Sequence, residues 1–156
     1  MDGTAASLAA YGKMLGASSV ISGVVPQISV IAGTCAGTAA MLACSSDFVI
    51  MTKESEFFMA PNSSSGSAEA AAKSGIASAV CDDDKAAIEK ARDLVNILPV
   101  NNLAPVPMFE FAENSPVSGT DLKSIINSAA DADSEIEISA ESVSYTHLTL
   151  PTNSLV

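Results

Sequence analysis

Apolar and small residues fall in short blocks along this 156-residue chain, and the spacing within a block changes from one to the next. Ala5, Leu8, Ala9, Gly12 and Leu15 recur at helical spacing, which predicts a helix over residues 4–16 with Thr4 capping its start. A loop around Gly23 leads to Pro26, and "QISVIAG" (27–33) has the β-branched content of a buried strand. "TAAMLACSS" (38–46) reads as a short helix of small residues, able to lie close to a sheet. "DFVIMTK" (47–53) is a second buried strand, and "SEFFMAP" is a short third one stopped by Pro61. Residues 62–75 begin as a polar loop, become a helix over Ala68–Lys73 and stop at Gly75, a C-cap position. "IASAV" (76–80) is a short strand.

The clearest helix follows at residues 81–99. Ala87, Ile88, Ala91, Leu94, Val95 and Leu98 line one face, and Pro99 ends it. Asp82, Asp83 and Asp84 sit at its positive N-terminus, where capping is the simpler reading and a metal site the competing one. Residues 99–119 hold four prolines and no periodicity, a linker or extended wrap. Residues 120–139 start a new element with Leu122, Ile125 and Ile126 as its stripe. It lacks partners and reads as the opening of a second domain.

Alternating short strands and helices make an α/β domain with enough chain for one core. Lys and Arg number 7 against 18 Asp and Glu, a net charge of −11. That disfavours a nucleic-acid partner, which needs a basic face, and an anionic membrane surface. Residues 14–46 carry no charge. The stretch is long enough for a membrane span, but Pro26 and Gly16, Gly23, Gly33 and Gly37 interrupt it and no basic flank orients it. Two buried elements of an α/β core explain it better, and no signal peptide is expected. Cys35, Cys44 and Cys81 show no CxxC spacing and read as free buried thiols in a reducing cytoplasm.

The end of the chain differs. "VSYTHLTLPT" within residues 143–156 resembles, almost letter for letter, the translated mosaic-end adaptor of transposon-based sequencing libraries. The gene is therefore expected to be cut near Glu141-Ser142, with a non-native tail beyond, and His147, the one histidine, is set aside with it. A zinc site or a histidine mechanism has nothing to stand on. The competing reading is a genuine extended terminus.

"SVIAGTCAGTAAML" (29–42) raises the chemical question. An apolar strand runs into Gly33, a second glycine follows at Gly37, and a small-residue helix comes next. A helix start presents backbone N–H groups that lack internal acceptors, and small residues let a ligand approach them. Aimed at a thioester oxygen, such amides stabilise the charge of an enolate without any titrating side chain. The bland reading is tight packing at a turn. The pattern is neither GxxxxGK[ST] nor GxGxxG, and no GxSxG elbow is present.

Residues 9–58, with "SGVVPQISVI", the G-x-C-A-G turn and "DFVIM", resemble the carboxyltransferase subunits of biotin-dependent acyl-CoA carboxylases and decarboxylases. The types meant are propionyl-CoA carboxylase beta and methylmalonyl-CoA decarboxylase alpha. "AAKSGIASAV" and "DLVNILPVNNLAPVP" extend the resemblance well to residue 112 and loosely to 142. It implies a partial crotonase-like (ClpP/crotonase) spiral of ββα units. Residues 1–112 would be the C-terminal half of the N-terminal carboxyltransferase domain, and 113–142 a linker and the start of the second.

It further implies carboxyl transfer between carboxybiotin and an acyl-CoA such as propionyl-, acetyl- or methylmalonyl-CoA. The amides of Gly37 and Thr38 would hold the enolate oxygen, with Gly33, Cys35 and Ala36 against the substrate. Thr38 stands where the family has a second glycine, and Thr34 where it has proline; an N–H survives the first change. Biotin would ride on a biotin carboxyl carrier protein. Biotin carboxylase or membrane decarboxylase subunits would be partners of a cytoplasmic homo-oligomer, and no metal is called for in this subunit. Two other readings compete. An enoyl-CoA hydratase or isomerase shares the fold but needs carboxylates, and Asn62 stands where a Glu is wanted. The piece alone is otherwise an inert remnant or an acyl-CoA-binding module.

Overall fold

The computed structural model describes residues 5–60, 66–105, 107–109, 122–131 and 134–142. Thr4, Pro61, Asn62, residues 110–121 and the tail with His147 lie outside the described residues. The elements, in order, are α1 (Ala5–Ile21), β1 (Ile28–Ile31), β2 (Thr34–Ala36), α2 (Thr38–Cys44), β3 (Phe48–Thr52), β4 (Glu56–Phe58), α3 (Ala68–Lys73), β5 (Ala79–Cys81), α4 (Asp84–Ile97) and α5 (Leu122–Ala129).

β1, β3 and β5 form a parallel sheet in the order β1-β3-β5, with Ile28 opposite Phe48 and Ile50 opposite Ala79. β2 and β4 form a separate parallel ribbon, with Thr34 opposite Glu56. Each crossover between main strands therefore contains one ribbon strand and one helix: β1-β2-α2, then β3-β4-α3, then β5 and α4. This is the ββα spiral expected of a crotonase-like chain.

Alternation along β3 divides the core. Val49 and Met51 face α2, α3 and the ribbon, in a cluster with Ile31, Phe57, Ala40, Ala43, Ala68, Ala71, Ala72 and Ala77. Ile50 faces the other way, onto Ala87 and Leu94 of α4. Alanines let helix and sheet backbones approach closely, as the small-residue blocks suggest. Gly75, just past α3, stands at φ 76, a conformation that glycine adopts without strain.

Three expectations are corrected. α1 runs five residues past Gly16 to Ile21, because nothing stops it before Gly23, and none of its residues is buried; Leu8 is 68% exposed. Ile88 and Val95 of α4 are exposed although they share the apolar face, because among the described residues β1 is the edge strand and α4 overhangs it. They border a groove of about 370 Å³ with Ile28 and Val30. The segment read as lacking partners makes contact with this sheet within residues 134–142. Ile136 packs on the Ile50–Ala87–Leu94 cluster, and the Ser139 N–H donates to the Ser78 carbonyl at 2.7 Å.

Candidate active site

Gln27 sets the entry of β1. Its N–H donates to Asp47 Oδ2 at 2.8 Å, and its carbonyl accepts from the Asp47 and Phe48 N–H groups. Its side-chain amide exchanges hydrogen bonds with Ser18 on α1. The end of α1, β1 and the start of β3 are thus pinned to one residue.

From Ile31 the chain turns at Ala32-Gly33 into β2. The Gly33 carbonyl accepts the Glu56 N–H at 3.1 Å, and Thr34 Oγ1 donates to Glu56 Oε2 at 3.1 Å. Cys35, opposite Phe57, packs against the core, while Ala36 and Phe58 share the opposite face of the ribbon. A strand three residues long therefore separates the two glycines, where a direct turn into the helix was expected.

At Gly37 the chain leaves the ribbon. Its φ of 59° and ψ of −122° lie where an L side chain is strained, and it is the N-cap of α2. The Gly37 N–H donates to the Phe58 carbonyl at 2.8 Å. This corrects the expected donor pair: the ladder reaches one residue further than the motif suggests and consumes that amide. Gly37 gives its carbonyl to the Met41 N–H at 3.0 Å, the first bond of α2. The N–H groups of Thr38, Ala39 and Ala40 meet no acceptor among the described residues.

Beside this turn lies a groove of about 320 Å³, lined by Ser29, Val30, Ile31, Gly33, Thr34, Cys35, Ala39, Leu42 and Ala43 among others. It brings Gly33 and Cys35 together with Ala39. Ala36, Gly37 and Thr38 do not line it, although Thr38 directly precedes Ala39. Burial pushes the Cys35 thiol above its ordinary pKa, and nearby Cys44 adds to the effect. The thiols are free, as expected, but not buried: Cys44 is exposed, and Cys35 and Cys81 are half-buried.

A larger cavity, about 780 Å³, opens at the β5 edge between α3 and residues 137–141. It holds no part of the strand-turn-helix unit, and its charges oppose each other, with Lys53 and Lys90 facing Glu69, Glu137 and Glu141. Lys53 is already paired with Asp82. The smaller groove is the one that lies beside the main-chain N–H groups of the α2 start that meet no acceptor among the described residues. The aspartates at α4 are accounted for locally. Asp83 is the N-cap and accepts the Ala86 N–H at 2.7 Å, Asp84 occupies the first turn, and Asp82 holds Lys53.

Residues 1–141 match the Carboxyl transferase domain family. The chain belongs to that family. The propionyl-CoA carboxylase beta chain of Roseobacter denitrificans is 30% identical over 86% of this chain and 32% of its own length. The methylmalonyl-CoA carboxyltransferase 12S subunit of Propionibacterium freudenreichii subsp. shermanii is 38% identical over 77% of this chain and 25% of its own. The crystal structure of transcarboxylase 12S, a hexamer with hydrolysed methylmalonyl-coenzyme A bound, aligns with 88% of this chain and 32% of its own at a TM-score of 0.78 and 32% identity. This carboxyl transferase domain thus spans about a quarter to a third of the relatives it matches. Among its described residues, no helix is long and apolar enough to cross a membrane.

Gln27 and Phe58, whose hydrogen bonds hold the entry of β1 and the Gly37 turn, lie inside the stretch that carries the resemblance but do not stand out by residue type. Gln27 is visible only as a lone amide in an uncharged stretch. Phe58 and Gly66, which meet at the end of β4, are separated by a serine-rich run that reads as a loop.

Proposed function

We propose that this carboxyl transferase domain holds the acyl thioester in a biotin-dependent acyl-CoA carboxyltransferase. The observation that carries the reading is the Gly37 turn, which leaves the Thr38 and Ala39 amides without acceptors among the described residues beside a groove of small and aliphatic residues. The groove suits a short acyl chain, with Gly33 and Cys35 against it. The Thr38 N–H, with Ala39 N–H as its partner in place of Gly37, would take the thioester oxygen as it gains charge.

Among the described residues that line the groove, the one titrating side chain is the Cys35 thiol, whose pKa burial raises, and no carboxylate lines it. General acid–base work by this wall is thereby disfavoured, against the hydratase reading. Carboxybiotin on a carrier protein would supply the carboxyl and accept the α-proton. The described groove fits the acyl half of that reaction, and no residue of this chain is assigned to the biotin ring. The full-length subunit would work as a cytoplasmic oligomer with the carrier protein and either biotin carboxylase or membrane decarboxylase subunits. Propionyl-, acetyl- and methylmalonyl-CoA are the candidate substrates.

Calorimetric titration of the chain with propionyl-CoA and with free coenzyme A tests the reading. Saturable binding that requires the thioester is expected. A chain that is folded by circular dichroism and binds neither compound would reduce the piece to an inert remnant.

A further inference from the structure

We infer that Gly66 is a positioning residue for the donor turn, acting through Phe58; the inference rests on the acyl-thioester reading above. Gly66 is buried. A Cβ placed on it would run into the Phe58 ring, so the ring fills the space that any other residue would need. Gly66 is not among the glycines at positive φ, which means that its backbone conformation is open to alanine and only the missing side chain matters.

Phe58 joins this contact to the turn. On one side, the Phe57 N–H donates to the Gly66 carbonyl at 2.7 Å, and Glu56 bridges antiparallel to Ser67. On the other, Phe58 stands opposite Ala36, and its carbonyl takes the Gly37 N–H at 2.8 Å. Residues 66–67, β4 and β2 are therefore neighbours in one small ribbon, and Gly37 hangs from its edge.

Packing does not hold Gly37, since nothing lies within 4 Å of where its Cβ would stand. Its orientation comes from the Phe58 carbonyl and the first bond of α2. The Phe58 backbone in turn is placed by the fit of its ring on Gly66. A methyl group at residue 66 must push the ring or the strand, and the displacement reaches the Thr38 and Ala39 amides through one hydrogen bond.

The test compares propionyl-CoA with the nitronate of 2-nitropropionyl-CoA, which carries negative charge on oxygen as an enolate does. The native chain should prefer the nitronate. Gly66→Ala should lower that preference about tenfold, the worth of one charge-assisted hydrogen bond, with less change in propionyl-CoA affinity. Phe58→Leu should lower it too, by loosening the strand, and Gly66→Ala with Phe58→Leu should restore much of it, because the added methyl replaces lost ring volume. A merely structural lesion would weaken both ligands alike and gain nothing from the second change. Undiminished preference in Gly66→Ala, or in Phe58→Leu should Gly66→Ala not fold, overturns the positioning role while leaving the thioester reading intact. A native chain without preference for the nitronate overturns both.

Discussion

Thr38→Pro takes one main-chain N–H donor away from the proposed site. Thr38 is the first residue of α2, and its N–H meets no acceptor among the described residues. Proline is favoured at that helical position, where its fixed φ matches and its missing N–H breaks no helical bond. Loss of the half-buried threonine side chain and gain in chain stiffness act in opposite directions, so folding stability should move by no more than about 1 kcal/mol. The effect on reaction should be far larger. A main-chain donor to an oxyanion is worth roughly 3–4 kcal/mol, or about 100- to 1,000-fold in turnover. A donor to the neutral thioester is worth only about 1 kcal/mol, so ground-state affinity should fall less than about tenfold. The assay is carboxyl transfer to propionyl-CoA by the full-length subunit, alongside thermal denaturation and calorimetry. Thr38→Ala, which keeps the N–H, should retain far more activity than Thr38→Pro. If Thr38→Pro transfers carboxyl at close to the native rate, the amide does not hold the developing charge.

Other outcomes follow from local geometry. Asp83→Ala removes the cap on the Ala86 N–H and should cost about 1 kcal/mol in chemical denaturation. Saturating propionyl-CoA should slow alkylation of Cys35, which lines the groove, and leave Cys81 at the opposite edge unprotected; equal protection of both thiols would misplace the acyl group. Lys53 holds the Asp82 carboxyl below its ordinary pKa, first by a hydrogen bond and then by charge. A depressed carboxylate contributes stability above its unfolded pKa and loses that contribution as pH falls through its folded one. Lys53→Met should therefore raise the Asp82 pKa in an NMR titration, and any small loss of melting temperature at neutral pH should vanish in acid. Both groups are exposed, so salt should shrink the difference.

Much of the spiral is legible in the residues. β1 and β3 declare themselves by β-branched runs, α4 by its apolar face and aspartate cap, and α3 by its end at Gly75. β2 is not legible, because Thr34-Cys35-Ala36 is too short for a period to emerge and is a strand only because β4 lies beside it. The same pairing explains why, among the described residues, the N–H groups of Thr38 and Ala39 are left without an acceptor and that of Gly37 is not. A motif marks where a turn falls, but which N–H remains free depends on how far the ladder runs. The return of residues 134–142 to the sheet has no local signal, since Ile136 on the Ile50–Ala87–Leu94 cluster and the Ser139 N–H on the Ser78 carbonyl meet residues far away in sequence. Gly66 is hidden for a similar reason, its meaning lying in a ring eight residues away.

The layer of alanines between α2, α3 and β3 has an evolutionary consequence. Trimming a methyl group there opens almost no void, whereas lengthening one forces two backbones apart. Drift at Ala40, Ala43, Ala71 and Ala72 should therefore run toward glycine or serine and seldom toward valine or leucine. Variation in the groove's width would then have to come from lining residues outside that layer, such as Leu42, while the helix stays seated at a fixed height above the sheet.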